Sequence, residues 1–543
     1  MPIRLHVLAS SARHAVSTSV VLVSWLIAFY LTPLLLHLSY FLAVDLLGFL
    51  ALVLLKPSNP GYHPRYVDVF FMSTSAVTVT GLATVEMEDL SSAQIVVLTL
   101  LMLLGSELFV SLLGLVLESS RKRRQQQRDH QDHDGRVMAA AVCDEPDLEE
   151  ANDPAPTPSA DSSGDGDDRK ETCRAFRSLA LVVSAYMAAI LVVGSVLVFA
   201  YVATVPTARD VLARKRISAA LFSVSTTVSS FTNGGLLPTN ESMAVFAANR
   251  GLLLLLAAQI LAGSTLLPVF LRLAVSATRG LARALFLFTG RGGPVEELVP
   301  MDMEKSAAGA GFGYLLQSGP RAASLAATVV AVAAAAATLL CCLNWNSAVF
   351  TGLTAGEKLT NAVFMAVNVR QAGENSVDCS LVAPAVLVLF LAMMCIPASA
   401  TLLSVHDDGG EMKRSGAGEP ESRDGAEKKR RLSLNSMLLS PLACNAAAVM
   451  LACITERRSI SGDPLNFSTF NVIFEVISAY GNVGLSTGYS CSRLPPAAEE
   501  ATAACHDKPY SFSGWWTDQG KLLLVLLMLY GRLKGFHGQR RRR

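Results

Sequence analysis

The chain has 543 residues, of which 51% are hydrophobic and 16% are charged, and its mean hydropathy is +0.41. This balance points to a membrane protein and not to a soluble globular domain. The formal net charge is only +1 at pH 7, from 45 Lys and Arg against 44 Asp and Glu, and it gives no reason to expect a nucleic-acid partner. The positions of the charges along the chain are more informative than their sum.

The first apolar region extends from about residue 20 to residue 55. A bilayer core needs about 20 apolar residues per helix, so residues 36–55 make one full span. The preceding stretch, 20–35, is then an interfacial helix or a ninth span. We favour the interfacial helix, because it keeps the number of spans the same in every repeat.

A semi-polar segment over residues 66–79 follows, and it is too short to cross the membrane. It leads through a turn at Gly81 into a second full span over residues 95–117. Span, half-span, glycine turn and span together form one unit.

The same order of segments recurs three more times along the chain. Self-similarity at a domain-sized period fixes the fold. It predicts an all-α membrane protein with four repeats of span, pore half-helix and span, in pseudo-fourfold symmetry around one central pore. The predicted divisions are a cytoplasmic N-terminus with the interfacial or extra apolar helix (1–35), pore unit 1 (36–118), a disordered cytoplasmic linker (119–174), pore unit 2 (175–278), a cytoplasmic linker (279–322), pore unit 3 (323–404), a basic cytoplasmic linker (405–433), pore unit 4 (434–536) and a basic cytoplasmic tail (537–543).

The segments between the units carry runs of charge. The first contains four basic residues at 121–124 and an acidic, Pro-, Ser- and Gly-rich run at 144–168, whose composition cannot bury enough surface to fold. Basic clusters also follow the three later units. Each cluster comes after an even number of spans, so all lie on one side, which the positive-inside rule makes cytoplasmic. Both termini are therefore predicted to be cytoplasmic, and the half-spans enter from outside.

Each half-span ends in a non-helical turn inside the bilayer. Backbone groups without partners cost several kcal/mol there, so four such breaks are tolerable only around a wet pore. A helical half-span would also point a carbonyl end with a partial charge of about −0.5 at the membrane centre, which favours cations. Rings of backbone carbonyls can replace the hydration shell of a monovalent cation, and glycine lets them face one axis without a Cβ clash.

The turns therefore predict an ion-selectivity filter that binds K⁺ or Na⁺. The alternative for a single glycine is that it merely closes a helix end, but four glycines in the same setting favour the filter. The predicted filter residues are Gly81, Gly235, Gly373 and Gly484, and the predicted flanking residues are Thr80, Asn233, Gly234, Ala372, Asn482 and Val483.

At these residues the chain resembles the high-affinity potassium transporter family of plants, a branch of the Trk/Ktr/HKT superfamily of potassium and sodium transporters. Four motifs carry the resemblance, one in each pore loop, and the fourth is the most specific. They are SAVTVTGLATVEME at 75–88, NGGLLPTNE at 233–241, NVRQAGE at 368–374 and FEVISAYGNVGLSTGY at 474–489.

The resemblance implies a transporter or channel of the plasma membrane that passes K⁺ and Na⁺, by Na⁺/K⁺ symport or K⁺-permeable uniport. It implies no enzymatic activity and no cofactor, a lipid bilayer as surroundings, and a homodimer. In this family the first filter position is serine or glycine, associated with sodium selectivity or potassium permeation respectively. Gly81 therefore predicts that K⁺ passes as well as Na⁺. A Na⁺-selective uniporter of the same family is the alternative.

Two further features would regulate flow. Arg532 matches a basic residue that the family carries on its last helix, and the resemblance implies that it raises a barrier in the pore. By position alone, Arg532 and Lys534 would instead snorkel at the cytoplasmic membrane edge. In unit 3 the residues Pro397, Ala398 and Ser399 interrupt the second span, where relatives use a loop as an intramembrane gate. A simple proline kink is the alternative there.

Other classes of protein find less support. The ten cysteines form no CxxC pair and no Cys/His cluster of zinc spacing, although Cys491 and Cys505 share one hydrophilic loop and could be bridged in an oxidising exterior. No Ser/His/Asp, HExxH or phosphate-loop pattern indicates an enzyme. An unrelated secondary transporter would also break helices near the midplane, but such folds usually use longer, often inverted repeats.

Overall fold

The computed structural model describes residues 33–59, 61, 63–121, 123, 124, 162–289, 312–396, 441–491 and 512–540. The predicted interfacial or ninth helix before residue 33 lies outside this part of the chain, as do most linker residues. Within the described residues the helices are α1 (Pro33–Leu54), α2 (Tyr66–Val77), α3 (Ser92–Gly105), α4 (Glu107–Arg121), α5 (Ser162–Thr204), α6 (Pro206–Arg214), α7 (Ala219–Thr232), α8 (Arg250–Ile260), α9 (Leu267–Thr289), α10 (Gly319–Asn344), α11 (Ala355–Asn368), α12 (Pro384–Cys395), α13 (Pro441–Thr455), α14 (Arg457–Gly462), α15 (Thr469–Gly481) and α16 (Asp518–Arg540).

Several helices are long and apolar enough to cross a membrane. In the described residues three do so alone, at Leu35–Leu54, Arg174–Thr204 and Gly319–Asn344, and two bent pairs raise the number to five if each pair is one span. The helices α12 and α13 are shorter and meet the edge of a described segment, at Ile396 and Pro441 respectively. Large apolar side chains such as Leu47 on α1 and Leu526 on α16 are exposed on the outer faces, where lipid would cover them.

Each predicted half-span forms a short helix, namely α2, α7, α11 and α15. Polar residues at their first turns explain where these helices begin. Ser218 and Ser468 cap α7 and α15 by accepting a backbone N–H, and Thr354 with Glu357 forms a capping box on α11. In α2 the first turn carries Asp68, whose negative charge suits the amino end of a helix.

The helices pack in a closed order. The first span of each unit contacts the half-helix of the same unit, in the pairs α1 with α2, α5 with α7, α10 with α11 and α13 with α15. The second span of each unit contacts the half-helix of the next, in the pairs α3 with α7, α8 with α11 and α12 with α15. The last second span, α16, packs on the first half-helix, α2, so the fourth unit lies against the first.

Two of the second spans are sharply bent. Between α3 and α4 the bend is 56°, at Ser106, whose extended backbone ends α3 and whose hydroxyl accepts the N–H of Phe109 to begin α4. Between α8 and α9 the bend is 93°, after a π-helical turn at Leu261–Thr265. The span predicted as continuous over 95–117 is thus two helices, because a side chain replaces the helical hydrogen bonds at the break.

The helices extend beyond several predicted unit boundaries. The helix α5 begins at Ser162, so residues 162–174, which the sequence analysis assigns to a disordered linker, are helical. Residues 169–171 are Arg, Lys and Glu, which favour helix, whereas residues 162–168 are mainly Ser, Gly and Asp, and their composition does not explain the helix. Similarly, α9 continues to Thr289 and α16 to Arg540, past the predicted ends of units 2 and 4.

Candidate functional site

The four predicted filter glycines share one backbone conformation. Each follows the carboxyl end of a half-helix, and φ is +89° at Gly81, +69° at Gly235, +66° at Gly373 and +90° at Gly484. Residues with a side chain rarely adopt this left-handed region, whereas glycine adopts it without steric cost. The conformation therefore explains why glycine stands at all four positions.

The four glycines also lie next to one another in a closed order. A Cβ on Gly81 would stand 2.8 Å from the Cα of Gly235, and a Cβ on Gly373 would stand 2.9 Å from the Cα of Gly484. A Cβ on Gly484 would stand 3.0 Å from the Cα of Gly81. Gly235 faces unit 3, because its Cβ would stand 2.9 Å from the carbonyl oxygen of Ala372. The structure thus brings together glycines from all four units.

The carbonyl oxygen of the residue before each glycine lies close to the glycine of a neighbouring unit. Gly81 meets the carbonyl oxygen of the residue before Gly235, and Gly235 meets the carbonyl oxygen of the residue before Gly373. A Cβ added to Gly373 would overlap the carbonyl oxygen of Val483, and a Cβ added to Gly484 would overlap that of Thr80. The four residues that supply these oxygens are Thr80, Gly234, Ala372 and Val483, all of which the sequence analysis places at the filter flank.

The residue two positions before the glycine is left-handed in three units. These residues are Val79, Asn233 and Asn482, with φ of +56°, +60° and +51°. Asparagine tolerates this region and commonly closes helices there, as Asn233 does on α7 and Asn482 on α15. Val79 is β-branched and is a conformational outlier, which the sequence does not reveal. In unit 3 Gln371 stands at this position without a positive φ.

Side-chain amides join the turns of neighbouring units. The Nδ2 group of Asn482 donates to Oγ1 of Thr80 at 2.8 Å, which ties unit 4 to unit 1. The Nδ2 group of Asn233 donates to the hydroxyl of Ser264, and that hydroxyl donates to Oε1 of Gln371, which ties unit 2 to unit 3. Side chains in and beside the turns therefore hold the turns of neighbouring units together.

A buried carboxylate lies directly behind the third turn. Glu374 follows Gly373, is fully buried, and accepts hydrogen bonds from the hydroxyl of Ser230 at 2.9 and 3.0 Å. Asn368 fixes the same turn, since it accepts from the N–H of Glu374 at 2.8 Å and donates to its carbonyl oxygen at 2.5 Å. The sequence analysis includes Glu374 only as part of a motif. The available signal was an acidic residue next to a filter glycine inside an apolar unit.

Arg532 is half-buried and bonds within the protein. Its Nη2 group donates to the carbonyl oxygen of Gly105 at 2.6 Å, an oxygen that the bend at Ser106 leaves without a helical partner. Two residues further along α16, the ammonium of Lys534 bonds the hydroxyl of Tyr480 and lies 4.9 Å from the centre of its ring. Arg532 thus joins α16 to α3, and its function as a pore barrier stays a prediction.

Two other predictions fall on the edge of the described chain. The proposed gate at Pro397, Ala398 and Ser399 lies outside the described residues. Cys491 is disulfide-bonded, and Cys505, the partner that the sequence suggests, also lies outside them.

Two groups of charges join units outside the filter. Lys215 bonds Glu88 at 2.5 Å and also Glu241, so it links the loops that follow Gly81 and Gly235. Burial lowers the pKa of Lys215, but the hydrogen bonds and charges of Glu241 and Glu88 outweigh it, so the pKa is raised above the usual value. The ammonium therefore stays charged and neutralises part of this acidic pair.

The second group joins α16 to the beginning of α2. The ammonium of Lys521 lies 2.6 Å from Oδ1 of Asp68, and its side chain is only 1% exposed. Arg65 pairs with the other oxygen of Asp68 at 3.1 Å and with Asp518 at 2.9 Å. Units 4 and 1 are thus held together by a charged cluster as well as by apolar packing.

Comparison with known proteins identifies the family. The chain matches a family model described as TrkH, cation transport protein, over residues 161–407 and 427–504. It is 59% identical over 533 residues to the cation transporter HKT2;4 of Oryza sativa subsp. japonica, with 98% of each chain covered. The chain belongs to the HKT family of the Trk/Ktr/HKT cation transporter superfamily. The resemblance read from the pore-loop motifs is therefore confirmed.

More distant HKT and Trk proteins are also similar. The sodium transporter HKT1 of Arabidopsis thaliana is 36% identical over 487 residues, with 90% of each chain covered. Among solved structures, the potassium transporter TrkH from Vibrio parahaemolyticus matches with a TM-score of 0.45 and 15% identity, over 93% of this chain and 83% of that one. This HKT-family chain is a helical membrane protein, and its relatives bear the names of transporters and not of enzymes.

Proposed function

We propose that this HKT-family chain conducts K⁺ and Na⁺ across the plasma membrane through one pore enclosed by its four units. The observation that carries the proposal is the closed order of Gly81, Gly235, Gly373 and Gly484, each beside a carbonyl group of its neighbour. Main-chain oxygens in this arrangement can replace water around an alkali cation. The rice relative is named a cation transporter and the Arabidopsis relative a sodium transporter, which agrees with this chemistry.

The packing of the helices supports a four-repeat pore. Every half-helix is contacted by a span of its own unit and by a span of the preceding unit, and the fourth unit closes on the first. The carboxyl ends of the half-helices lead directly into the glycine turns, so their partial negative charges are near the ion path. Anions are therefore disfavoured at the filter.

The identity of the first filter residue supports passage of both ions. With glycine at position 81, the four units present similar backbone surroundings to an ion, so the larger K⁺ ion meets no side chain in one quadrant. The basic clusters after each unit support cytoplasmic termini. The half-helices would then enter from the extracellular side.

Flux into liposomes tests the proposed function. The purified protein is reconstituted alone, and the uptake of ⁸⁶Rb⁺, as a stand-in for K⁺, and of ²²Na⁺ is compared with uptake into protein-free liposomes. We expect both ions to enter. Uptake of neither ion contradicts the proposed function, and uptake of ²²Na⁺ alone contradicts K⁺ permeation and favours a Na⁺-selective uniporter.

Reversal potentials in oocytes distinguish symport from uniport. External Na⁺ and K⁺ are changed separately and together. A reversal potential that follows each ion independently indicates two permeant ions in one pore, whereas a fixed stoichiometric dependence on both ions indicates coupled movement.

A further inference from the structure

An acidic residue lies buried in the first membrane span. Asp45 is on α1, is 1% exposed, and accepts a hydrogen bond on Oδ2 from the hydroxyl of Thr74 at 2.7 Å. Its main-chain carbonyl accepts a second bond, from the hydroxyl of Ser73 at 2.8 Å. Its other carboxylate oxygen, Oδ1, is buried and has no hydrogen-bond partner. In the part of the chain that the structure describes, no basic side chain pairs with Asp45.

An uncompensated carboxylate in a span is costly. Taking one ion out of water costs several kcal/mol even after the protein relaxes, and ionisable residues within spans are usually paired or face an ion path. Asp68 has Lys521 as a partner, and Glu374 accepts from Ser230 on both oxygens, whereas Glu475, like Asp45, has one buried oxygen without a hydrogen-bond partner. Asp45 has one hydroxyl donor on one oxygen, so its charge requires another source of compensation.

The surroundings of Asp45 lead to the filter in a few bonds. Thr74 is in the last turn of α2, and its carbonyl oxygen accepts the hydroxyl of Thr78 at 2.6 Å. The hydroxyl of Thr78 lies 2.7 Å from that of Thr80, the residue before Gly81. Because Thr78 gives its only proton to Thr74, Thr80 is the donor of this pair and its oxygen is free to accept from Asn482. The hydrogen-bond chain from Asn482 through Thr80 and Thr78 therefore ends at the main-chain carbonyl of Thr74, whose own hydroxyl donates to Asp45.

We propose that Asp45 is the fixed counter-charge of the cation in the filter, and that it sets the affinity of the pore for cations. It is a positioning residue, since it acts through its field and through the last turn of α2 and does not touch the ion. The carboxylate adds a full negative charge beside the partial charge at the carbonyl end of α2. This inference rests on the proposed conduction of K⁺ and Na⁺.

The variant Asp45→Asn separates the charge from the hydrogen bonds. The new amide can donate to Oγ1 of Thr74, and Thr74 can then give its proton to the carbonyl oxygen of Phe70, 3.0 Å away. Shape and bonding are thus kept while the charge is lost. Asp45→Glu keeps the charge but disturbs the packing. Asp210→Asn makes the same chemical change at an exposed site on α6 and is the matched control.

The measurement is concentration-dependent ⁸⁶Rb⁺ uptake into liposomes, normalised to inserted protein. We expect Asp45→Asn to raise the apparent KM by about six-fold, the factor that Coulomb's law gives for one unit charge at an assumed separation of roughly 15 Å and an effective dielectric constant of about 20. Asp45→Glu should restore the apparent KM to near the wild-type value, and Asp210→Asn should not change it. The apparent KM should change more than the maximal rate, which a purely structural role does not predict.

The possible failures are distinguishable. A wild-type apparent KM in Asp45→Asn means that the carboxyl group is neutral in the working protein, and equal effects of Asn and Glu mean that packing is the cause; either result overturns the role of Asp45. No uptake by the wild-type protein contradicts the proposed function itself. Should Asp45→Asn fail to insert, Thr74→Val removes the donor that stabilises the charge, and a raised apparent KM then supports the proposal while an unchanged one contradicts it.

Discussion

The four predicted filter glycines occupy positions where a side chain would clash with the main chain of another unit. Each of the four glycines has a positive φ and lies against the main chain of a neighbouring unit. A substitution there acts through sterics on another unit, not only through local strain. We therefore expect a single added carbon atom at one of these positions to displace the main chain of another unit.

The first prediction concerns Gly81→Ser. The new Cβ would meet the Cα of Gly235 and the carbonyl oxygen of Gly234 at 2.8 and 2.9 Å, so one quadrant of the ring must shift. We expect K⁺ current to fall relative to Na⁺ current, since the larger ion needs four similar ligand groups further from the axis. Currents in oocytes under alternating K⁺ and Na⁺ measure this ratio. The control is Gly61→Ser in an exposed loop, and an unchanged ratio in Gly81→Ser would refute the filter role of Gly81.

The second prediction concerns Arg532→Gln. Glutamine keeps an amide donor but has a shorter side chain than arginine, so the positive charge is removed and the bond to the carbonyl oxygen of Gly105 is weakened. If Arg532 faces the ion path, cation current per protein at the surface should increase, because the repulsion is lost. Arg532→Lys keeps the charge and is the control. A current in Arg532→Gln that stays at or below the wild-type level argues that the residue has a structural role only.

At the scale of the elements, glycines in the second spans allow the half-helices to end close to them. Gly105 lies against the carbonyl oxygen of Val77, Gly263 against that of Phe231, and Gly531 against the end of α15. In each case a Cβ would overlap the oxygen. These glycines stand at unequal distances from the filter glycines along the chain, so the repeat is not visible in the sequence. The corresponding stretch of unit 3 continues into residues that the structure does not describe.

The third prediction compares two glycines on α16. In Gly531→Ala the new methyl group would overlap the carbonyl oxygen of Tyr480 and would stand 2.9 Å from Oδ1 of Asn482. The helix α16 must therefore move away from the turn that contains Gly484. Overpacking of this kind costs about 1–3 kcal/mol. Gly535→Ala, one turn along, meets nothing within 4 Å and should stabilise the helix by up to about 1 kcal/mol.

Thermal unfolding of the two variants in detergent measures the difference between them. We expect Gly531→Ala to melt at a lower temperature than the wild-type protein and Gly535→Ala at the same or a higher one. Equal melting temperatures for both variants contradict the close contact between α16 and the end of α15.

At the scale of the whole molecule, the fourth unit must close on the first. Apolar packing between α16 and α2 supplies part of the contact, and the buried pair of Lys521 and Asp68 supplies a directed one. The surroundings of the two charges differ, because Asp68 pairs with Arg65 as well as with Lys521, whereas the side chain of Lys521 is almost fully buried. The consequences of removing either partner should therefore be unequal.

The fourth prediction is a double-mutant cycle on this pair. Asp68→Asn leaves a buried ammonium without its carboxylate and should destabilise the protein by about 3 kcal/mol or more. Lys521→Met leaves Asp68 paired with Arg65 and should cost about half as much or less. The double variant should be more stable than Asp68→Asn alone. Melting temperatures of the four proteins give the coupling, and strictly additive effects contradict a direct interaction.

Much of the fold is predictable because the membrane restricts the choices. Half-spans too short to cross predict helices, and the structure has helices α2, α7, α11 and α15 at these places. The breaks in the second spans were not predictable. The bend at Ser106 depends on a hydroxyl that replaces helical bonds, and the bend before α9 depends on a single π turn, neither of which changes the hydrophobic pattern.

The candidate site, like the fold, was predictable from the sequence only in part. Glycines after half-spans are visible in the sequence, because only glycine suits a left-handed turn that faces close neighbours. The bond from Asn482 to Thr80 and the burial of Asp45 beside Thr74 are not visible, because each joins residues from different elements. Such contacts depend on how the helices are placed against one another.

By itself, the sequence determined that this protein lies in a membrane and that it belongs to its family, and it predicted one unit repeated four times. These properties follow from hydropathy, spacing and short motifs, which act locally along the chain. The tertiary structure alone decided which units are neighbours, where the second spans bend, and which buried charges have partners. The physical reason is that a hydrogen bond or an ion pair acts over a few ångströms, so it forms only after packing has brought distant residues together.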